Sequence, residues 1–255
     1  MTERTPLIIV RGAGETWGGP SMLMDAAKRG LDLTQYEVFD LPYSASYGGA
    51  VGEAQDFHDS QAEGRRLLLE LLAQTGPAVL WGYSAGAFLA GNVAREIALG
   101  QHLALSLIAV GLVSDPGRHP DQIIGPNRGG YGIKGARLIP HDRFPVWQFS
   151  AQGDAISELP VGNPLRSLAD ITESMSPDFP EWMGRLFEQA QANQWQRWWD
   201  IGNWMTWGGA IAWAKGYLFD GRHTCYWHEN IQGESITHLQ MLALLTRDEV
   251  LLNAA

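Results

Sequence analysis

Apolar runs bounded by glycine, proline or polar clusters recur along the first part of the chain, at Leu7–Val10, Glu37–Leu41, Ala78–Gly82, Leu105–Leu112 and Val146–Ser150. Such short runs predict buried strands. Between them lie Ser21–Arg29, Ser60–Ala73 and Ala85–Leu99, where apolar residues return every three or four positions and predict helices. Strand alternating with helix predicts an α/β fold whose central parallel sheet is flanked by helices on both faces. The link between the fourth and fifth runs is long and rich in glycine (Gly125–Gly135), which predicts a surface loop. After the fifth run the alternation stops. Residues 160–219 show no strand period and carry Trp182, Trp195, Trp198, Trp199, Trp204, Trp207 and Trp213 among other apolar residues, which predicts a helical insertion. The expected organisation is a main domain of residues 1–159 and 220–255 interrupted by that insertion, with a terminal helix near Ser235–Leu245.

Composition narrows what such a chain does. An apolar fraction of 45% and a charged fraction of 18% are those of a folded globular protein. A net charge of −10 argues against nucleic acid as a partner, because binding phosphates needs a basic surface. Cys225 is the only cysteine, so no intrachain disulfide and no cysteine-based zinc cluster are expected. Seven histidines show no HExxH-like spacing, and no metal or cofactor is expected. No stretch is long and apolar enough to span a bilayer, and the opening MTERTPLIIV lacks the layout of a signal peptide. The expectation is a chain with no export address of its own, of undetermined oligomeric state.

The strongest chemical signal is Gly82-Tyr83-Ser84-Ala85-Gly86, which joins the third strand to the third helix. A sharp strand-to-helix turn lifts the serine hydroxyl above the sheet, and the glycines let strand and helix approach closely. The helix N-terminus below it favours negative charge developing at a reaction centre. Ser84 is therefore the candidate nucleophile. An oxyanion site would draw on the backbone N–H of Ala85 and on one from the loop Arg11–Trp17, with Ala13 as the candidate second donor.

A nucleophilic serine needs a base, and the base an orienting acid, in the chain order Ser, then Asp or Glu, then His. Asp154 follows the fifth strand in a Gly153-Asp154 turn, and Asp115 follows the fourth in Ser114-Asp115-Pro116; both lie at the edge where Ser84 emerges. Asp154 is preferred. For the base the order of preference is His223, His228, His238: His223 and His228 share a loop after the insertion, whereas His238 lies on the terminal helix among Ile236, Leu239, Leu242 and Leu245.

With this serine motif, an aspartate after the next-but-one strand and a late histidine, the chain resembles the cutinase-like α/β-hydrolases. Its layout resembles more narrowly the bacteriophage lysin B esterases: the Gly12-Ala13-Gly14 loop, Gly82–Ala87, Gly153-Asp154, the helical insertion and His223-x-x-Tyr226. Ala85 stands where many of those hydrolases have Gln, and Ser114-Asp115-Pro116 where Gly-Asn-Pro is frequent. The resemblance implies a serine esterase of phage lysis that cleaves the ester between mycolic acid and arabinogalactan, made in the host cytoplasm and acting on the outer envelope. A general lipid or carboxyl esterase is the nearest alternative. On the esterase reading the insertion would receive a long acyl chain, with Trp198, Trp204 and Trp207 as candidate contacts, since tryptophans on nearly every side of short helices cannot all be buried within them.

Two readings come from other classes. Gly12-Ala13-Gly14 after a strand, with Asp40 ending the next strand, opens like a dinucleotide-binding fingerprint, but Trp17 fills the third glycine position. A non-catalytic binding module on a hydrolase scaffold is the other, because fold alone does not establish activity.

Overall fold

The computed structural model describes residues 4–47, 55–163, 165 and 221–253. The tryptophan-rich stretch, with the expected insertion and Trp198, Trp204 and Trp207, lies outside the described residues.

Five strands, β1 (Thr5–Val10), β2 (Tyr36–Asp40), β3 (Ala78–Tyr83), β4 (Leu107–Val113) and β5 (Val146–Phe149), form one sheet in the order β2-β1-β3-β4-β5. All four pairings are parallel. Helices α1 (Met22–Gly30), α2 (Phe57–Thr75), α3 (Ala85–Ala98) and α4 (His238–Asn253) cover the sheet. Side chains alternate across each strand, so one run feeds two cores. Leu7, Ile9, Val79, Trp81 and Ala109 pack with α1 and α4. Ile8, Val10, Ala78, Leu80 and Val110 pack with residues of α2 and α3. Burial on both faces is why these strands read as continuous apolar runs rather than as alternating ones.

The strands and first three helices lie within three residues of their expected bounds. The terminal helix differs more: it starts at His238 and runs to Asn253. Its start is fixed by a reciprocal cap, in which the Gln240 amide donates to Thr237 Oγ1 at 3.3 Å and the Thr237 amide to Gln240 Oε1 at 2.8 Å. The expected surface loop is only partly one. Gly125 and Gly129 are exposed and Gly135 is half-buried, but Gly130 and Gly132 are buried. Arg118, itself buried, donates to the carbonyls of Ser157 at 2.7 Å and Gly130 at 2.5 Å and so clamps this link to the turn after β5. Among the described residues, no helix is long and apolar enough to cross a membrane.

The strand order reverses direction between β1 and β3, and a crevice at the carboxyl ends of strands beside such a switch is where open α/β sheets place their ligands. β3 ends there, and Ser84 follows it.

Candidate active site

The local sequence around Ser84 leaves the chain little choice. Ser84 has φ 54° and ψ −120°, a strained conformation for a non-glycine residue that persists where its surroundings fix it. A Cβ at position 82 would lie 2.7 Å from Ala87 Cα, and one at position 86 would lie 2.2 Å from the Val10 carbonyl oxygen. Both flanking glycines are therefore required by the close packing of α3 on β3 and β1, and the turn between them pushes Ser84 outward at the helix N-terminus.

His223 comes from a loop that returns to this edge. Its Nε2 lies 2.9 Å from Ser84 Oγ, and its Nδ1 lies 3.3 and 3.4 Å from the two carboxylate oxygens of Asp154. The Tyr83 ring stacks on the imidazole at a centroid distance of 5.2 Å, and Tyr83 donates from its hydroxyl to the His223 carbonyl at 2.9 Å. The residue before the serine thus holds the histidine.

Asp154 is fully buried in the turn after β5. Its Oδ2 accepts from the Ser114 hydroxyl at 2.5 Å, the Tyr226 hydroxyl at 2.5 Å and the Ser157 hydroxyl at 3.2 Å, while Oδ1 accepts from the Ile156 amide at 3.0 Å. Burial alone would raise this carboxyl, but the adjacent imidazole and the donors from His223, Ser114 and Tyr226 outweigh it and hold the group below the usual aspartate range. Burial and the neighbouring carboxylate push the Tyr226 hydroxyl well above its ordinary value, so it stays protonated and donating.

The structure separates the other candidates from this cluster. Asp115 is fully buried, but its Oδ2 takes Arg137 Nη2 at 2.6 Å in an ion pair and its Oδ1 the Gly117 amide at 2.8 Å in a turn, so both oxygens have structural partners. His228 is exposed and edges against the Trp227 ring. His238 is buried, with Nδ1 placed 3.0 Å from the Glu229 carbonyl it donates to, and burial lowers its basicity. Asp40, the residue that a dinucleotide reading would assign to a ribose, instead accepts from Arg11 Nε at 3.0 Å and from the Gly18 amide at 2.9 Å. The loop after β1 also runs on to Ser21 before α1 begins, so no helix opens directly after Gly12-Ala13-Gly14.

That loop is firmly held. Arg11 is buried and donates to the carbonyls of Leu41, Tyr43 and Glu15. The Glu15 carboxylate accepts from the Gly12 amide at 2.8 Å and the Met22 amide at 3.0 Å. Burial raises the Glu15 carboxyl, against the opposing pull of those amides. The Gly14 amide donates to Ala45 and the Glu15 amide to Gly12. Among the described residues, the Ala13 and Ala85 amides have no acceptor in the protein. A Cβ at Gly12 would stand 3.3 Å from Ser84 Cβ, which puts this loop directly against the serine.

Sequence reasoning did not single out Ser114, Ser157, Tyr83, Arg11 or Glu15, and took Tyr226 only as part of a family pattern. The usable signals are polar residues just past strand ends: Ser114 follows β4 as Ser84 follows β3, and each has φ 54°.

The family described as "Alpha/beta hydrolase family" matches residues 7–245. Among solved structures, lysin B from Mycobacteriophage D29 is similar at 18% identity, with 96% of this chain and 100% of that chain covered and a TM-score of 0.53. The catalytic core domain of acetyl xylan esterase from Trichoderma reesei is similar at 13% identity, covering 86% of this chain and 100% of that one, with a TM-score of 0.49. A cutinase-like protein from Cryptococcus sp. is similar at 16% identity over 68% of this chain and 97% of that one, with a TM-score of 0.39. No curated protein matches the chain by sequence. With a family match across nearly its whole length, and the parallel sheet and strand-to-helix serine turn in place, the chain belongs to the α/β-hydrolase family.

Proposed function

We propose that this protein is a serine esterase in which Ser84, His223 and Asp154 act as nucleophile, base and acid. The observation that carries the reading is the 2.9 Å contact of Ser84 Oγ with His223 Nε2, at a positive-φ turn on a helix N-terminus and backed by a buried carboxylate. Ser84 Oγ attacks the ester carbonyl as its proton passes to Nε2. The proton on Nδ1 keeps the imidazole in the tautomer that can accept it, and Asp154 balances the charge that forms. The oxyanion of the tetrahedral intermediate is received by the Ala85 and Ala13 amides, which have no acceptor among the described residues. Collapse of the intermediate expels the alcohol, which takes the proton back from Nε2. Water then repeats the sequence on the acyl-enzyme and frees the acid.

The substrate we propose is the ester joining mycolic acid to arabinogalactan. The support is the full-length likeness in fold to a mycobacteriophage lysin B, together with the tryptophan content of residues 160–219. In this reading Trp198, Trp204 and Trp207 contact the acyl chain, each buried methylene contributing about 0.8 kcal/mol, and the enzyme acts on the outer envelope during lysis.

The test is hydrolysis of p-nitrophenyl esters of graded chain length and of purified mycolylated arabinogalactan, by the wild type and by S84A. Release of mycolic acid by the wild type and not by S84A is expected. Turnover of the p-nitrophenyl esters alone would make the protein a general carboxyl esterase. Near-normal turnover by S84A, or no labelling of Ser84 by a fluorophosphonate, would overturn the esterase reading.

A further inference from the structure

A third side chain stands between the acid and the base. Ser114 follows β4 directly, is fully buried, and has φ 54°, a conformation that a non-glycine residue adopts only at a cost in free energy. Its Oγ is 2.5 Å from Asp154 Oδ2 and 2.9 Å from His223 Nδ1. The direct separations of Nδ1 from the carboxylate oxygens, 3.3 and 3.4 Å, exceed the usual 2.7–3.2 Å for an N–H···O bond.

Donor and acceptor chemistry then fixes the direction of the chain. An ionised carboxylate only accepts, so at 2.5 Å the Ser114 proton points at Asp154. The remaining lone pairs of Oγ face the imidazole. With Nε2 turned to the Ser84 hydroxyl as acceptor, Nδ1 carries the ring proton and donates it to Ser114 Oγ.

We propose that Ser114 is a positioning residue of this hydrolase, its hydroxyl linking His223 to Asp154 as Nδ1–H···Oγ–H···Oδ2. The proposal rests on the reading of Ser84, His223 and Asp154 as the catalytic set. The hydroxyl fixes the imidazole tautomer and passes the polarising effect of the carboxylate to the ring when Nε2 takes the Ser84 proton. No proton leaves Nδ1 and none is exchanged with Asp154. Tyr226, Ser157 and the Ile156 amide also donate to the carboxylate, and among the described hydrogen bonds it is the Ser114 hydroxyl that joins it to the base.

The experiment compares wild type, S114G, S114A, D154N, S114G/D154N and S84A on a soluble p-nitrophenyl ester. Glycine adopts a positive φ freely, so S114G removes the hydroxyl while keeping the backbone; S114A is the second variant should glycine loosen the turn. A link worth one hydrogen bond to a charged group lowers kcat about 10- to 100-fold, with KM held within about twofold. In the D154N background the same substitution should lower kcat by no more than about twofold, because groups acting as a unit are not additive. Wild-type kcat in S114G and S114A with an inactive S84A would overturn the role of Ser114 and leave the triad standing. Losses in S114G and D154N that multiply fully in the double variant would make Ser114 merely structural. Turnover in S84A would remove the triad reading and this proposal with it.

Discussion

Replacing Tyr226 by Phe removes one oxygen atom from the centre of the site and tests what holds Asp154. The ring is fully buried and would keep its packing, including the edge contact with the His238 ring at 5.2 Å. Three bonds are lost. The hydroxyl no longer donates to Asp154 Oδ2, and the buried Ala151 amide, which donates to Tyr226 Oη at 3.1 Å, loses its acceptor. The 3.2 Å contact with the Ser157 hydroxyl goes too, although Ser157 keeps its bond to Asp154. A hydrogen bond to a charged group contributes about 1.5–3 kcal/mol, and an orphaned buried amide costs about 1–3 kcal/mol. With Ser114 and Ser157 still on Oδ2, a loss of roughly 3 kcal/mol is expected, which for a chain of this size lowers Tm by about 6–12 °C. The pH dependence separates the two losses. The Asp154 carboxyl is depressed in the folded state, so its contribution is present above the unfolded value of about 3.9 and disappears as pH falls through the folded value. Removing a donor shrinks that depression. The Tm gap between wild type and Y226F should therefore be full at neutral pH and narrow below about pH 4, leaving the part owed to Ala151 and Ser157. Differential scanning fluorimetry in a series of buffers measures it. A gap that stays constant on acidification would show that Tyr226 serves only the Ala151 amide and the Ser157 hydroxyl. A Tm within about 2 °C of wild type at pH 7 would refute the assigned network altogether.

The remaining predictions concern the acids, the histidines and the cysteine. D154N should lower turnover by about ten-thousand-fold, the scale seen when a triad acid becomes an amide, whereas D115N should leave Arg137 as an uncompensated buried cation and cost stability, about 3–5 kcal/mol by chemical denaturation; the reverse pattern would move the acid role to Asp115. H223A should abolish hydrolysis while H228A keeps it, and activity surviving only in H223A would transfer the role of base to His228. Burial lowers the basicity of His238, so the unfolded chain binds a proton more readily and wild-type stability should fall as pH drops below about 6.5; H238N should flatten that slope between pH 5 and 7 yet remain active, and an unchanged slope would refute it. Burial pushes the Cys225 thiol up to about 12, so a thiol reagent at pH 8 should leave the native protein unlabelled and active, and modify it once unfolded.

What the sequence determined by itself was local. The turn at Ser84 is written in a buried strand, two glycines and a helix start within a few residues; Gly82 is required by contact inside that stretch and Gly86 by the neighbouring β1. The strands were legible because both faces of the sheet are covered, which leaves each run apolar throughout. The terminal helix was mis-bounded because its cap depends on the Thr237–Gln240 pair and its end carries no glycine stop. Choosing the partners of Ser84 needed the fold. His223 lies 139 positions from Ser84 and 69 from Asp154, and no periodicity reaches across such distances. Asp154 and Asp115 follow neighbouring strands at the same edge, so the sequence favours Asp154 without deciding between them; Arg137 occupies Asp115 and His223 faces Asp154. Ser114 and Tyr226 acquire meaning only because β4 and β5 run side by side and the loop before α4 folds back over their ends. A hydroxyl becomes a directed donor when tertiary packing removes water and leaves it a single ionised acceptor, and sequence alone carries no record of that choice.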